Sequence, residues 1–202
     1  MKLIRHIILF LFIIFSSESF AQLNHKHFIL MGRIDLSEEN YSEAMYNFNM
    51  AIIAKPNDFE GYFLRGIAKY SLNDYIGAVD DFTKTIDIHP LYVRAYHYRG
   101  IANDRLGNYA DAINDYKKAI SLDPYDSELH IALGSTKLHL NEFEDAIASF
   151  DTAVIISPNN ANAYINRGIA KRYLEQLDDA ITDLNKAVYH DFFNIEALVR
   201  RG

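Results

Sequence analysis

Apolar side chains along this chain recur at the spacing of amphipathic helices, and polar turn signals interrupt them at short intervals. In one such run, Ala78, Phe82 and Ile86 follow one another at four-residue steps, which places them on one face of a helix. The polar pair Asn73-Asp74 precedes this run and indicates a turn that separates it from an earlier apolar run. The pattern therefore predicts two helices joined by a tight turn.

The same pattern recurs with a period of 34 residues. Prolines mark the ends of four predicted second helices, because the residue before a proline disfavours helical backbone, and Phe192 stands where a fifth proline is due. The positions that define the period are Pro56, Pro90, Pro124 and Pro158; Gly32, Gly66, Gly100, Gly134, Gly168 and Gly202; and Ala44, Ala78, Ala112, Ala146 and Ala180. A period of this length is typical of stacked helical hairpins, each of which buries its apolar flank against its neighbours.

The period divides the chain into a leader, residues 1–21, and a repeat array, residues 22–202. The repeats span 25–58, 59–92, 93–126, 127–160 and 161–194, and an incomplete sixth repeat covers 195–202. An eight-residue helix is marginal in water, so we expect further repeats or another domain to follow. Within a repeat, small residues such as Gly66 and Ala78 let two helices cross closely, with bulky residues such as Phe82 beyond them.

These repeats resemble the tetratricopeptide repeat family, whose unit is a 34-residue helix–turn–helix. The matching residues are Tyr62, Gly66, Leu72, Tyr75, Ala78, Phe82 and Pro90 in the second repeat, and Tyr96, Gly100, Leu106, Tyr109, Ala112, Tyr116, Ala119 and Pro124 in the third. The eleventh position departs from the aromatic residue usual in the family and holds Asp35, Lys69, Asn103, Lys137 and Lys171. The resemblance implies an all-α fold, a right-handed superhelical α-solenoid whose concave surface binds peptides or partner proteins.

In hairpins of this family, certain positions of the first helix face the concave side. The candidate partner-binding residues at these positions are Phe63, Ile67, Tyr70, Arg94, His97, Ile101, Asp104, Ile131, Leu138, Ile165, Ile169 and Arg172. An exposed apolar stripe of this kind favours a binding site for another protein. The alternative is that Ile67, Ile101 and Ile169 pack against adjacent first helices.

Arginine at the seventh position and aspartate at the twenty-third occur together in repeats two, three and five, and both are absent from repeats one and four. The pairs are Arg65 with Asp81, Arg99 with Asp115 and Arg167 with Asp183. One interpretation is an ion pair that joins both helices of a repeat, because a partly buried arginine needs a partner. The alternative is recent duplication of these three repeats.

The leader has the three parts of a secretory signal peptide. Lys2 and Arg5 precede the apolar run Ile7–Phe15, and the small residues Ser19 and Ala21 suit cleavage after residue 21. An uncleaved membrane anchor is the alternative, but this run is about half of the roughly 20 residues that span a bilayer. We therefore expect an exported protein, periplasmic or secreted, without membrane insertion after cleavage. The absence of cysteine excludes a lipid-modified N-terminal cysteine.

Composition excludes several kinds of chemistry. The chain has no cysteine, which excludes disulfides and cysteine-ligated metal sites. Its 20 basic and 27 acidic residues give a net charge of −7, which argues against a nucleic-acid binder. His25 with His27 is the strongest metal candidate, and a solvated tail is the favoured interpretation of that pair. We expect no catalytic, metal or cofactor site, and no enzyme.

The sequence thus predicts an exported scaffold that binds an extended or helical segment of another protein in its groove. The alternative is the N-terminal sensor or substrate-presenting region of a larger enzyme or signalling protein. A soluble metal carrier is a third, less favoured hypothesis. Self-association through the open C-terminal repeat is a further expectation.

Overall fold

The structure, a computed structural model, describes residues 24–191, and ten α-helices and no strand occur in that range. Helix α1 is described from residue 24 and ends at residue 37. The other helices are α2 (Tyr41–Ala54), α3 (Phe59–Ser71), α4 (Tyr75–Ile88), α5 (Val93–Leu106), α6 (Tyr109–Leu122), α7 (Ser127–His139), α8 (Phe143–Ile156), α9 (Ala161–Tyr173) and α10 (Leu177–His190). The predicted leader, 1–21, and the predicted sixth repeat, 195–202, lie outside the described residues.

Each of the five segments that the period defines contains two successive helices, which form one hairpin. The predicted all-α class is confirmed. The chain forms two compact units, and the boundary between them falls within α5, after Ala95. In the first unit, α3 packs on α2 and α4; in the second, α7 packs on α6 and α8, and α9 on α8 and α10. Most of these contacts therefore join helices that are neighbours in sequence, and α7 also contacts α9.

Local side chains determine where the first helices begin and how the hairpins turn. Asp58, Asp126 and Asn160 each accept a hydrogen bond from the backbone N–H two residues later, as expected of N-caps. The turn within each hairpin contains one residue with positive φ. These residues are Glu39, Asn73, Gly107, Asn141 and Glu175, with φ between 60° and 77°.

Each hairpin closes by contact between a glycine of its first helix and a bulky side chain of its second. A Cβ atom on Gly66 would lie 2.7 Å from Cε1 of Phe82, which is well inside van der Waals contact. A Cβ atom on Gly32, Gly100 or Gly134 would likewise lie 2.5–2.6 Å from the ring of Phe48, Tyr116 or Phe150. The sequence had suggested that the ring lies beyond a close crossing of glycine and alanine. In the structure the ring instead lies directly on the glycine.

The fifth repeat has a looser version of this contact. A Cβ atom on Gly168 would lie 3.2 Å from Cγ of Leu184, since a leucine replaces the aromatic ring there. The helices of this hairpin therefore leave more room at the crossing than those of the other four.

This difference predicts unequal effects of alanine at two equivalent positions. We expect Gly134→Ala to lower the free energy of unfolding by about 1–3 kcal/mol, because the new methyl group would overlap the ring of Phe150. Gly168→Ala should lower the free energy of unfolding much less, or should raise it, since the helix propensity of alanine exceeds that of glycine by about 1 kcal/mol. Urea denaturation followed by far-UV circular dichroism measures both. Equal losses would contradict the close-contact account.

The three ion pairs predicted between the helices of a repeat are all present. In each pair, the arginine Nε and Nη2 atoms donate to the two carboxylate oxygens of the aspartate, in a bidentate arrangement. The distances are 2.8 and 2.6 Å for Arg65–Asp81, 3.0 and 2.6 Å for Arg99–Asp115, and 2.8 and 2.5 Å for Arg167–Asp183. The side chains of the three aspartates are buried.

The unusual eleventh position completes these polar groups. Lys69 Nζ lies 2.9 Å from Oδ2 of Asp81, and Lys171 Nζ lies 2.7 Å from Oδ2 of Asp183. In the first repeat the roles are reversed, because the amide of Asn47 at the twenty-third position donates to Asp35 at the eleventh, at 2.7 Å. In these three repeats the eleventh position therefore provides a polar partner for the twenty-third.

Arg167 also binds the preceding hairpin. Its Nη1 atom lies 2.7 Å from Oδ1 of Asp151 on α8, while its other nitrogens hold Asp183 on α10. Arg65 makes the equivalent contact with Asn49 on α2. Each of these arginines thus connects three helices.

The positive partners alter the ionisation of the buried carboxylate. Burial raises the pKa of Asp183, but hydrogen bonds from Arg167 and Lys171 lower it by more, and this pKa falls below its ordinary value of 3.8. Burial lowers the pKa of Arg167, while its hydrogen bonds to Asp183 raise it by more, so that this pKa lies above its ordinary range. Both groups are therefore held in their charged forms.

A pH-dependent stability follows from the lowered pKa of Asp183. We expect Asp183→Asn to reduce the free energy of unfolding at pH 7 by about 3 kcal/mol, because the half-buried side chains of Arg167 and Lys171 lose the buried carboxylate that both contact. A carboxylate with a lowered folded pKa stabilises the fold above its unfolded pKa, and this contribution is lost as pH falls through the folded value. The difference between wild type and variant should therefore narrow below pH 3.8.

Urea denaturation at neutral and acidic pH tests this expectation. Asp87→Asn, at an exposed position of α4, is the matched control and should change stability by less than about 0.5 kcal/mol. A wild-type advantage that stays constant from neutral to acidic pH would show that the Asp183 charge is not its source.

Candidate functional site

The twelve candidate residues lie on first helices, and the structure divides them by exposure. They lie on α3 (Phe63, Ile67, Tyr70), α5 (Arg94, His97, Ile101, Asp104), α7 (Ile131, Leu138) and α9 (Ile165, Ile169, Arg172). Arg94 and Arg172 are exposed, and seven of the others are half-buried. The remaining three are core residues.

Phe63, Ile131 and Ile165 are 2%, 7% and 2% exposed, which corrects their assignment to an exposed surface. The ring of Phe63 packs edge-on against Tyr92, with ring centroids 5.0 Å apart. Ile131 belongs to a cluster with Phe150. All three occupy the fifth position of a first helix, and all three side chains are buried there. They therefore belong to the core and present almost no surface to a partner.

Two isoleucines at the ninth position, Ile101 and Ile169, pack against the core and are also partly exposed. Ile101 packs against the cluster formed by Ala112, Tyr116 and Leu133, and Ile169 packs against the cluster of Tyr164 and Ile165. Both isoleucines nevertheless remain half-buried. Part of each side chain is therefore available at the surface, beside the core that it supports.

A cleft of about 420 Å³ opens in the second unit, where α5, α6 and α7 meet. Its lining residues are Ile101, Asp104, Arg105, Tyr116, Ala132, Ser135 and His139. Two of them, Ile101 and Asp104, were predicted from the sequence. The cleft thus brings predicted residues of α5 together with residues of α6 and α7 that the prediction did not include.

The carboxylate of Asp104 is held in the wall of this cleft by hydroxyl groups. The Tyr116 hydroxyl donates to Oδ2 at 2.7 Å. The Thr136 hydroxyl lies 2.8 Å from Oδ2 and 3.0 Å from Oδ1. Tyr116 and Thr136 are buried, and no ion pair to Asp104 is found within residues 24–191. Asp104 is therefore fixed in position by neutral donors.

The signal that could have identified this arrangement is a single hydroxyl. Phenylalanine or leucine occupies the twenty-fourth position in the other four repeats, and tyrosine occupies it in the third. Tyr116 lies twelve positions after Asp104, which is also the spacing between Lys171 and Asp183. A buried tyrosine needs a hydrogen-bond partner, and Asp104 is within its reach.

A smaller cleft, of about 150 Å³, lies in the first unit and is lined by residues of α1 and by Glu60. His25 lines it and is buried, contrary to the expectation of a solvated tail. Its Nδ1 atom lies 3.1 Å from the carbonyl oxygen of Ala51, and its Nε2 atom lies 3.3 Å from Oδ2 of Asp58. His27 is exposed and does not join it in a ligand set. His25 therefore connects α1 to α2 and to the residue that caps α3.

The described chain offers neither a metal cluster nor a membrane span. Residues 24–191 contain no group of three or more histidine, aspartate or glutamate side chains arranged to hold a metal ion. In the same range, every helix is too short or too polar to cross a bilayer.

Comparison with protein families matches the tetratricopeptide repeat at residues 93–126 and again at residues 115–148. The first of these ranges has the same bounds as the third repeat derived from the 34-residue period. Comparison with curated protein sequences finds no match.

Solved structures of similar fold include three proteins with low sequence identity to this chain. MamA from Desulfovibrio magneticus RS-1, from residue 41 to its end, is 20% identical with a TM-score of 0.78, covering 85% of this chain and 97% of that one. YrrB, described as a TPR protein with an unusual peptide-binding site, is 20% identical with a TM-score of 0.71, covering 86% and 90%. PilF from Pseudomonas aeruginosa is 14% identical with a TM-score of 0.78, covering 89% and 82%. These likenesses establish the α-solenoid fold.

Proposed function

Because the chain is a tetratricopeptide repeat protein, we propose that it is an exported scaffold that binds a segment of a partner protein on its first helices. The observation that carries this proposal is the cleft of the second unit. Its lining combines the apolar side chains of Ile101 and Ala132 with several polar groups, which is the composition of sites that bind peptide segments. YrrB, which shares the fold, is described as having a peptide-binding site.

The cleft contains serine, histidine and aspartate, but their hydrogen bonds favour binding over catalysis. The Ser135 hydroxyl donates to the carbonyl oxygen of Ile131 at 2.9 Å, one turn earlier in α7. Among the described residues no hydrogen bond joins Ser135 to His139, and the donors to Asp104 are tyrosine and threonine hydroxyls. A nucleophile needs a base within hydrogen-bond reach. The role proposed for the cleft is therefore recognition.

The partner is a protein or peptide and not a nucleic acid, since the net charge of −7 would repel phosphate groups. Export rests on the leader, where positive residues, an apolar run and small residues follow in the order of a signal peptide. The proposed location is the periplasm or the exterior of the cell.

A substitution that fills the cleft should abolish partner binding. We expect Ser135→Arg to reduce retention of partner proteins by the immobilised chain at least about tenfold, because the long side chain occupies the space between α5 and α7. Ser121→Arg, at an exposed position of α6 outside the cleft, adds the same charge and should retain the same partners as wild type. Quantitative mass spectrometry of the retained proteins measures the difference. Undiminished retention by Ser135→Arg would place partner binding elsewhere.

Export predicts a specific mature N-terminus. When the full chain is expressed in a bacterium, we expect the protein to begin at Gln22 and to be recovered outside the cytoplasm. Leu11→Arg should block this processing by interrupting the apolar run. Intact-mass measurement of fractionated cells gives the result. An unprocessed chain in the cytoplasm would contradict export, and an unprocessed chain in the membrane would favour an anchor.

A further inference from the structure

Asp104 has unused capacity to accept hydrogen bonds at the wall of the second-unit cleft. A carboxylate has about four acceptor sites. The Tyr116 and Thr136 hydroxyls carry one hydrogen each, and the Thr136 hydroxyl also lies 3.1 Å from the carbonyl oxygen of Ala132. At most two of the acceptor sites of Asp104 are therefore occupied by these donors.

Hydroxyl groups hold the negatively charged carboxylate of Asp104 in position, but they do not neutralise its charge. Both hydroxyl donors are uncharged, and within residues 24–191 no lysine or arginine forms an ion pair with Asp104. Asp104 is half-buried, so water screens its charge less than it screens the charge of the exposed Arg105 on the same lining. The ring of His139, also on the lining, lies against the ring of Tyr109, with centroids 5.6 Å apart.

The rest of the cleft suits a long side chain with a charged end. Ile101 and Ala132 provide apolar contact beside Asp104, and the hydroxyl of Ser135 is engaged with the backbone. A volume of about 420 Å³ lies at the small end of the usual range for ligand sites. The methylene stems of lysine and arginine pack on apolar surface while their charged ends reach a polar partner.

We propose that this cleft selects a lysine or arginine side chain of the partner segment, with the cationic end bound by Asp104 and the stem on Ile101 and Ala132. This inference rests on the proposed function, since it specifies what the partner presents to that site. Tyr116 is a positioning residue, because it holds Asp104 from the core and lies with its ring on Gly100. Asp104 and Tyr116 occur together in the third repeat alone among the five, which confines this selectivity to one cleft.

A library of random short peptides displayed on phage tests the selectivity with no assumption about the identity of the partner. The library is selected on the immobilised full chain, on Asp104→Asn and on Asp80→Asn, an exposed control on α4 with the same change of charge. We expect lysine or arginine to be enriched at one fixed position with wild type and with Asp80→Asn. This enrichment should be absent with Asp104→Asn, whose amide oxygen still accepts from the hydroxyls and preserves the fold.

The affinity of one enriched peptide gives the size of the effect. Replacement of its basic residue by norleucine should weaken binding to wild type about tenfold or more, and Asp104→Asn should lose the same factor for the basic peptide. Tyr116→Phe keeps the ring that phenylalanine provides in other repeats and should weaken the basic peptide but not the norleucine peptide. A purely structural role of Tyr116 would weaken both peptides equally.

The outcomes separate this inference from the proposed function. Peptides that are enriched on wild type without a basic position, or with one that survives Asp104→Asn, would overturn the selection of a basic side chain and leave the binding function in place. A library from which no peptide is enriched above a protein-free surface would overturn both.

Discussion

The contact between a glycine of the first helix and a bulky side chain of the second is the constraint on which each hairpin depends. Because a Cβ atom at Gly66 would lie 2.7 Å from the ring of Phe82, the two helices can approach to this distance only while the position lacks a side chain. The ring then occupies the centre of the hairpin. Side chains at the fifth position of the first helix, such as Phe63, are buried in the core. Side chains at the ninth position, such as Ile101, are half-buried at its edge.

Polar groups hold the hairpins together in parallel with this packing. Buried ion pairs are costly to desolvate, and the cost is offset here by bidentate geometry and by an additional donor at the eleventh position. The group of Arg167, Lys171 and Asp183 shows the full arrangement, and the contact of Arg167 with Asp151 extends it to the preceding hairpin. Such directional bonds specify one relative placement of the helices, which apolar contact alone specifies less strictly.

The third repeat shows how a packing position acquires a second role. The ring of Tyr116 lies on Gly100 as phenylalanine does elsewhere, while its hydroxyl reaches Asp104 at the wall of the cleft. The hydroxyl oxygen of Tyr116 thus connects the contact between the two helices of the hairpin to the half-buried carboxylate of Asp104. The proposed binding site is therefore positioned by a buried residue of the repeat, so that the packing of the fold maintains its geometry.

The sequence by itself predicted the features that depend on short, periodic separations, namely the helices and the turns, and it offered ion pairs such as Arg65–Asp81 as one of two interpretations. These follow from a 34-residue period, because residues at equivalent places in successive hairpins meet equivalent neighbours. Tertiary structure decided which apolar positions stay at the surface, and it placed Phe63, Ile131 and Ile165 in the core. The cleft also depends on tertiary structure, because Asp104 and Thr136 are 32 residues apart and come into contact only when two hairpins pack together. The exposure of a side chain depends on how closely helices cross, and no spacing along one chain contains that distance.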